Sequence, residues 1–152
     1  MSRVTSIEEL SNLKSKIETE RKFTKQVLIC GGTGCISSGS NEIADKMTEK
    51  VKAAGKENEI RVIKTGCFGF CEKGPIVKML PDNTFYTEVT PEDADRLVET
   101  HLLKEKKIEE LLYVDPVTKN KISDSDHMDF YKKQERVALR NCGVIDPENI
   151  ED

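Results

Sequence analysis

The sequence predicts an α/β domain: a parallel strand–helix–strand unit, then a hairpin, then a closing helix. Three observations carry that expectation. Two apolar, β-branched runs, Gln26-Val-Leu-Ile29 and Ile60-Arg-Val-Ile63, bracket a helical pattern in which Ile43, Met47, Val51 and Ala54 recur at three- and four-residue steps. Strand, helix and strand so spaced form a βαβ unit with parallel strands and a right-handed crossover. Each strand then runs into a cysteine clip, Cys30-Gly-Gly-Thr-Gly-Cys35 and Cys67-Phe-Gly-Phe-Cys71. The carboxyl ends of neighbouring parallel strands lie on one edge, where such sheets bind ligands. Four thiols at Cys30, Cys35, Cys67 and Cys71 are therefore expected in one place, as a metal or cluster site.

Composition bounds the function. A chain of 152 residues with 36% hydrophobic and 34% charged residues can bury one modest core. Its 24 basic and 28 acidic residues give a formal net charge of −4, and no basic stripe is interleaved with aromatics, so nucleic acid is a poor partner. No apolar run reaches the roughly 20 residues of a membrane span. The first residues lack the apolar core of a secretory signal. The expected compartment is the cytoplasm, where structural disulfides are disfavoured and clipped cysteines point to metal binding or redox chemistry.

Taken in order, Ser6-Ile-Glu-Glu9 matches a capping box and starts a helix. Ile7, Leu10, Leu13 and Ile17 give it one apolar stripe, suited to packing on the domain or on a partner, and it fades into Arg21 and Lys22. Strand one is expected over 26–30. Gly31-Gly-Thr-Gly34 is too glycine-rich for a helix and free to take positive φ. It matches a phosphate-binding loop poorly, because no Gly-Lys-Ser/Thr follows and Cys35 stands where a helix would open. Its glycines instead let backbone N–H groups approach sulfur, where hydrogen bonds tune a cluster. The helix from about Ser40 stops at Gly55, and strand two covers 59–65.

Strands at 76–80 and 84–89, joined by Pro81-Asp-Asn83, make an antiparallel hairpin. Thr90-Pro-Glu-Asp93 then combines an N-cap, Pro at the first helical position and first-turn acids. Ala94, Leu97, Val98, His101 and Leu102 share one face of the helix it opens, so His101 is read as a packed or rim histidine and not a ligand. His127 sits in a polar stretch with no visible partner. Phe68 and Phe70 would shield the cluster edge or pack on the domain. Lys64 and Lys73 flank the second clip and either favour a reduced cluster or are simply solvated. Cys142 is read as a small buried or interface residue.

The four-strand order, both clips, Gly66-Cys-Phe-Gly-Phe-Cys-Glu-Lys-Gly-Pro75 and Tyr86 with Val89-Thr-Pro91 together resemble the thioredoxin-like [2Fe-2S] ferredoxins over roughly residues 25–103. The resemblance implies a thioredoxin-like fold, a four-stranded mixed sheet with flanking helices, and a [2Fe-2S] cluster held by Cys30, Cys35, Cys67 and Cys71. Residues 1–24 are then an N-terminal helix and 104–152 a linker extension. That extension, with Leu111-Leu-Tyr-Val-Asp-Pro-Val-Thr118, Phe130-Tyr-Lys-Lys-Gln-Glu-Arg136 and Leu139-Arg-Asn-Cys-Gly-Val-Ile-Asp-Pro147, resembles the segment before the flavin domain in NADH-binding subunits of iron hydrogenases. Those subunits are similar to the flavoprotein subunit of respiratory complex I.

The resemblance implies one-electron transfer as the N-terminal module of an NADH-linked hydrogenase or dehydrogenase subunit, with FMN and NADH held only by a downstream core. Asp146-Pro-Glu148 reads as the start of a helix, and the chain is expected to be an N-terminal piece of a longer subunit. No catalysis is expected of this chain alone. Its expected partners are other subunits or domains of such a complex, or a second copy. Two ferric ions, two sulfides and four thiolates carry a formal charge of minus two, and one electron makes it minus three. Potentials of all-cysteine two-iron clusters lie near about −400 mV. A structural zinc site, with four cysteines in nearly permissive clips, and a thioredoxin-like thiol oxidoreductase are the competing readings. The second is weaker, because neither clip is a C-x-x-C.

Overall fold

The computed structural model describes residues 4–20 and 23–148. A four-stranded mixed sheet forms the centre, from β1 (Lys25–Cys30), β2 (Ile60–Thr65), β3 (Val77–Leu80) and β4 (Thr84–Tyr86), in the order β2-β1-β3-β4. β1 and β2 are parallel, with Lys25 opposite Ile60 and Cys30 opposite Thr65. β1–β3 and β3–β4 are antiparallel. The βαβ unit and hairpin expected from the sequence are both present.

Alternation along β1 divides the core. Val27 and Ile29 face one side with Ile43, Met47, Val51, Val77, Met79, Leu97 and Val98. Leu28 and Cys30 face the other with Ile63, Ile76, Phe85, Phe68 and Phe70. Successive side chains of a strand point to opposite faces, so a central strand buried on both must be apolar throughout. β1 is.

The first face is covered by α3 (Ser40–Ala53) and by a second helix, α4 (Asp93–Arg96), which continues as a π-helical turn over Leu97–Leu102. The helix starts later than the expected Thr90 cap, at Asp93 after a turn over Pro91 and Glu92, and the Thr90 N–H and hydroxyl both donate to Asp93 Oδ2 at 3.0 and 2.8 Å. Lys25 Nζ donates to the Leu102 carbonyl at 2.8 Å, placing a cation at the end of the turn. The N-terminal helix α1 (Ile7–Glu20) is capped by Ser6, whose Oγ accepts from Glu9 N–H at 3.1 Å. The Glu9 carboxylate reaches back one residue further than a capping box requires, accepting from Thr5 N–H at 2.7 Å. Its apolar stripe stands in solvent at Ile7 (86% exposed) and Leu10 (50%). The fade at Arg21 and Lys22 lies outside the described residues.

One expectation differs. A five-residue helix, α2 (Thr33–Ser37), begins inside the glycine-rich segment and contains Gly34 and Cys35. Gly31 and Gly32 form its entry, and Ser37 Oγ donates to the Gly34 carbonyl at 2.9 Å. A single turn tolerates Gly34 because tertiary packing of Cys35, not propensity, holds it.

Ile108 and Leu112 extend the first face, and residues 113–131 cover the second. A small ribbon of β5 (Tyr113–Val114) and β6 (Lys121–Ile122) sits at the edge of β4, bridged through Tyr86–Leu112 and Thr84–Asp124. A short helix, α5 (Asp129–Lys132), follows. Met128 is fully buried, and Phe130 and Tyr131 pack against the same cluster as Leu28 and Cys30.

His101 is buried, as its place on the apolar face implied. The Tyr86 hydroxyl accepts from Ile108 N–H at 3.1 Å and donates to His101 Nδ1 at 2.6 Å. His101 Nε2 lies 3.3 Å from Asp82 Oδ2. Burial pulls the imidazole below its ordinary 6.5, outweighing the Asp82 carboxylate that opposes it. A folded-state value below the unfolded one gives stability present above about pH 6.5 and lost as pH falls through the folded value. Urea titrations at pH 7, 6 and 5 should therefore show wild type losing more stability than His101→Gln, which keeps both hydrogen bonds but cannot take the proton. Parallel losses would exclude a neutral buried imidazole.

Candidate metal centre

The parallel register sets the two clips side by side. Cys30 is the last residue of β1, opposite Thr65, and Cys67 follows two residues later. Gly31 N–H donates to the Thr65 carbonyl at 2.8 Å, tying the first turn of one clip to the strand before the other. The Cys35 thiol hydrogen-bonds Cys30, Cys30 also meets the Cys67 side chain, and Cys67 Sγ lies 3.9 Å from Cys71 Sγ. The thiols thus form a row, Cys35–Cys30–Cys67–Cys71. Among the described residues, no group of three or more His, Cys, Asp or Glu is arranged to hold one metal ion.

Burial falls along that row. Cys30 and Cys35 are 1% and 2% exposed. Cys67 is half-buried and Cys71 open to solvent.

Backbone donors aim at the sulfurs. Cys67 accepts from Gly69 N–H at 3.2 Å, and the nearby N–H groups of Phe68 and Gly32 favour the Cys30 thiolate as that of Ile76 favours the Cys35 one. Chiefly through the Cys35 hydrogen bond, and against burial, the Cys30 thiol is held down to about 6. The same contact first, and burial second, push Cys35 up. Burial raises Cys67, opposed by the Gly69 N–H.

Glycines clear the space. A Cβ on Gly32 would stand 3.0 Å from Cys67 Sγ and 3.6 Å from Cys30 Sγ, and one on Gly74 would stand 2.6 Å from Cys35 Sγ. Gly69 has φ +80, the left-handed region. Four soft thiol donors, converging N–H groups and a cradle without Cβ atoms fit an iron–sulfur cluster.

Both clip aromatics are buried. Phe68 meets Phe85 edge-on at 5.6 Å, and Phe70 stacks on Phe130 at 4.5 Å. Lys73 pairs with Glu88 at 3.5 Å. Lys64 lines a cleft of about 300 Å³ with Gly31, Ile36, Asp146 and Glu148. Cys142 is half-buried, and its Sγ lies 3.4 Å from where a Cβ on Gly66 would be. His127, read as partnerless, has Nδ1 3.2 Å from Asp124 Oδ2, both on the surface turn before α5.

Sequence reasoning did not single out Tyr131 or Arg136 as parts of the site. The Tyr131 hydroxyl donates to the Phe68 carbonyl at 3.1 Å. Arg136 donates to the same carbonyl from Nη2 and to the Cys142 carbonyl from Nη1 at 3.4 Å. Its guanidinium lies 5.4 Å from the Tyr131 ring centre. Thr65 Oγ1 donates to the Ile145 carbonyl at 2.7 Å, fixing the segment's far end. No local motif announces the contacts to Phe68 and Thr65, because they join residues more than sixty positions apart.

Known proteins match this chain at the same place. The profile of the thioredoxin-like [2Fe-2S] ferredoxin family matches residues 3–102. A 2Fe-2S ferredoxin of Clostridium pasteurianum is 38% identical over 68 residues, 45% of this chain and 67% of that protein. A 2Fe-2S ferredoxin of Aquifex aeolicus (strain VF5) is 37% identical over 79 residues, 51% of this chain and 71% of its own. The crystal structure of the thioredoxin-like [2Fe-2S] ferredoxin from Aquifex aeolicus superposes with a TM-score of 0.54 at 32% identity, covering 59% of this chain and 95% of that one.

The glycine cradle gives a graded test. Gly32→Ala and Gly74→Ala should each lower iron and sulfide content per chain. Gly34→Ala, where a Cβ meets nothing within 4 Å inside α2, should keep full content and stabilise by about 0.5–1 kcal/mol. Equal iron content in all three would remove the steric role assigned to Gly32 and Gly74.

Proposed function

The chain belongs to the thioredoxin-like [2Fe-2S] ferredoxin family, and we propose that it works as the electron-transferring N-terminal module of an NADH-linked hydrogenase or dehydrogenase subunit. Its fold and cofactor class are those of the family, a mixed four-stranded sheet and a [2Fe-2S] cluster. When bound, that cluster accepts and releases one electron. In this reading Cys30, Cys35, Cys67 and Cys71 hold it. The observation that carries the assignment is the row of four thiols at one sheet edge, met by N–H donors at Cys30, Cys35 and Cys67.

The chain's own residues divide the work. Cys30 and Cys35 sit in the core and anchor the site. Phe68 and Phe70 exclude water from its inner side. Cys71, open to solvent, marks the edge where electrons enter and leave. The finer placement, beside a flavin and NADH core, rests on the likeness of 104–147 to the segment preceding such cores. The partners are then other domains or subunits of that complex, in the cytoplasm. No helix among the described residues is long and apolar enough to cross a membrane.

Replacing any one of the four cysteines by Ala should abolish or strongly reduce the iron and sulfide content of anaerobically prepared protein, because one iron is left open. Cys142→Ser should leave the visible absorption and the EPR signal of the reduced protein unchanged. Full content in two or more of the four variants would remove the ligand assignment.

Hydride chemistry needs a two-electron acceptor held against the nicotinamide. Dithionite should therefore bleach the loaded 152-residue chain, giving a spin-half EPR signal, whereas NADH alone should not. Adding an NADH-oxidising flavoprotein should restore reduction by NADH. Bleaching by NADH alone would overturn the modular reading.

A further inference from the structure

We propose that Arg136 and Tyr131 tune the cluster through one peptide group, the Phe68–Gly69 unit, which passes their pull to Cys67. The two ends of that unit face different partners. Its N–H, on Gly69, donates to Cys67 Sγ at 3.2 Å. Its carbonyl, on Phe68, accepts at once from the Arg136 guanidinium and from the Tyr131 hydroxyl at 3.1 Å.

A carbonyl that accepts a charged donor draws electron density from its own amide. The N–H becomes a stronger donor, as in any chain of hydrogen bonds that polarise one another. A stronger N–H bond to sulfur withdraws charge from the thiolate and favours the reduced state, whose extra negative charge the sulfurs share. The guanidinium adds its own positive potential in a partly buried setting, where screening by salt is weak.

Geometry shows a built contact and not a chance one. Gly69 lacks the Cβ that would stand 2.6 Å from Arg136 Nη2. Its left-handed φ of +80 orients the peptide between sulfur and guanidinium. Arg136 is held by a second carbonyl, that of Cys142, and by the face of Tyr131. The half-buried Tyr131 ring packs edge-on against Phe70 of the second clip at 6.2 Å, in the same cluster as Cys30 and Cys35. Both residues lie beyond 3–102, the span the family profile covers, so this chain supplies the device from its own C-terminal segment. Arg136 and Tyr131 are positioning residues, since neither touches a sulfur.

The inference rests on the cluster reading and needs no NADH-linked parent. Its test is the midpoint potential of the loaded 152-residue chain, with visible absorption checking the cluster separately. Arg136→Gln should shift the reduction equilibrium about tenfold toward the oxidised form, about 59 mV for a one-electron couple. Tyr131→Phe, which loses a neutral donor only, should move the same way by less. Arg136→Lys should fall between wild type and Arg136→Gln, because an ammonium keeps the charge but not the fork that spans the Phe68 and Cys142 carbonyls.

An unchanged potential in Arg136→Gln would overturn the proposal, as would Arg136→Lys falling as far as Arg136→Gln. Should Arg136→Gln fail to load, Tyr131→Phe decides: a potential below wild type supports the relay, and one at wild type refutes it. Absent cluster absorption in wild type would instead refute the family-based cofactor, a distinguishable failure.

Discussion

The six-residue parallel register between β1 and β2 is the constraint on which the site depends. Parallel pairing aligns strand ends, so Cys30 and Thr65 finish together and both clips open on one edge. A shift of one residue would turn Cys30 away from the Leu28 face and part it from Cys67. The hydrophobic pattern prevents this, because Val27 and Ile29 are already committed to the helix-covered face. The chemistry at the edge is thus held in place by apolar side chains that never approach it.

The second face of the sheet shows how the rest of the chain is drawn in. Leu28, Ile63, Ile76 and Phe85 need a cover, and residues 113–131 supply it through Tyr113, Met128, Phe130 and Tyr131. Aromatic contacts knit that cover to the second clip: Phe70 meets Tyr113 edge-on at 5.3 Å and stacks on Phe130, and Phe85 meets Tyr131 at 5.8 Å. Edge-to-face and offset-stacked pairs stabilise beyond their area alone. A segment that reads in sequence as a tether is therefore also a wall of the site.

What the sequence displayed and what it hid follow from range. The clips, the βαβ unit, the hairpin and the apolar face carrying His101 are local patterns, legible because spacing alone determines them. The turn of helix at Thr33–Ser37 was missed because glycine content was weighed without the packing of Cys35 that overrides it. Asp124 beside His127 lies only three residues away, yet its meaning depends on a tight turn that composition does not announce. The contacts of Tyr131 and Arg136 with Phe68 were beyond reach for another reason. They satisfy a backbone carbonyl, and a carbonyl leaves no mark in a sequence. Gly69 was the one visible trace: a glycine between two clip aromatics asks what stands where its side chain would be. The structure answers with a guanidinium.

The site's two gradients point the same way. Burial falls from Cys30 and Cys35 to Cys71, while N–H donors crowd the buried end and the middle of the row. In the proposed reading, an electron arriving at the Cys71 edge meets a site whose inner sulfurs already face fixed dipoles. Such donors need little rearrangement when charge changes, because the β1 edge and the second clip hold them. Water at the outer edge could not do the same without reorienting. Rapid exchange needs the outer edge open to a partner, and a defined potential needs the inner end closed to water. The same row of four cysteines meets both requirements because it runs from the core of the sheet to the surface.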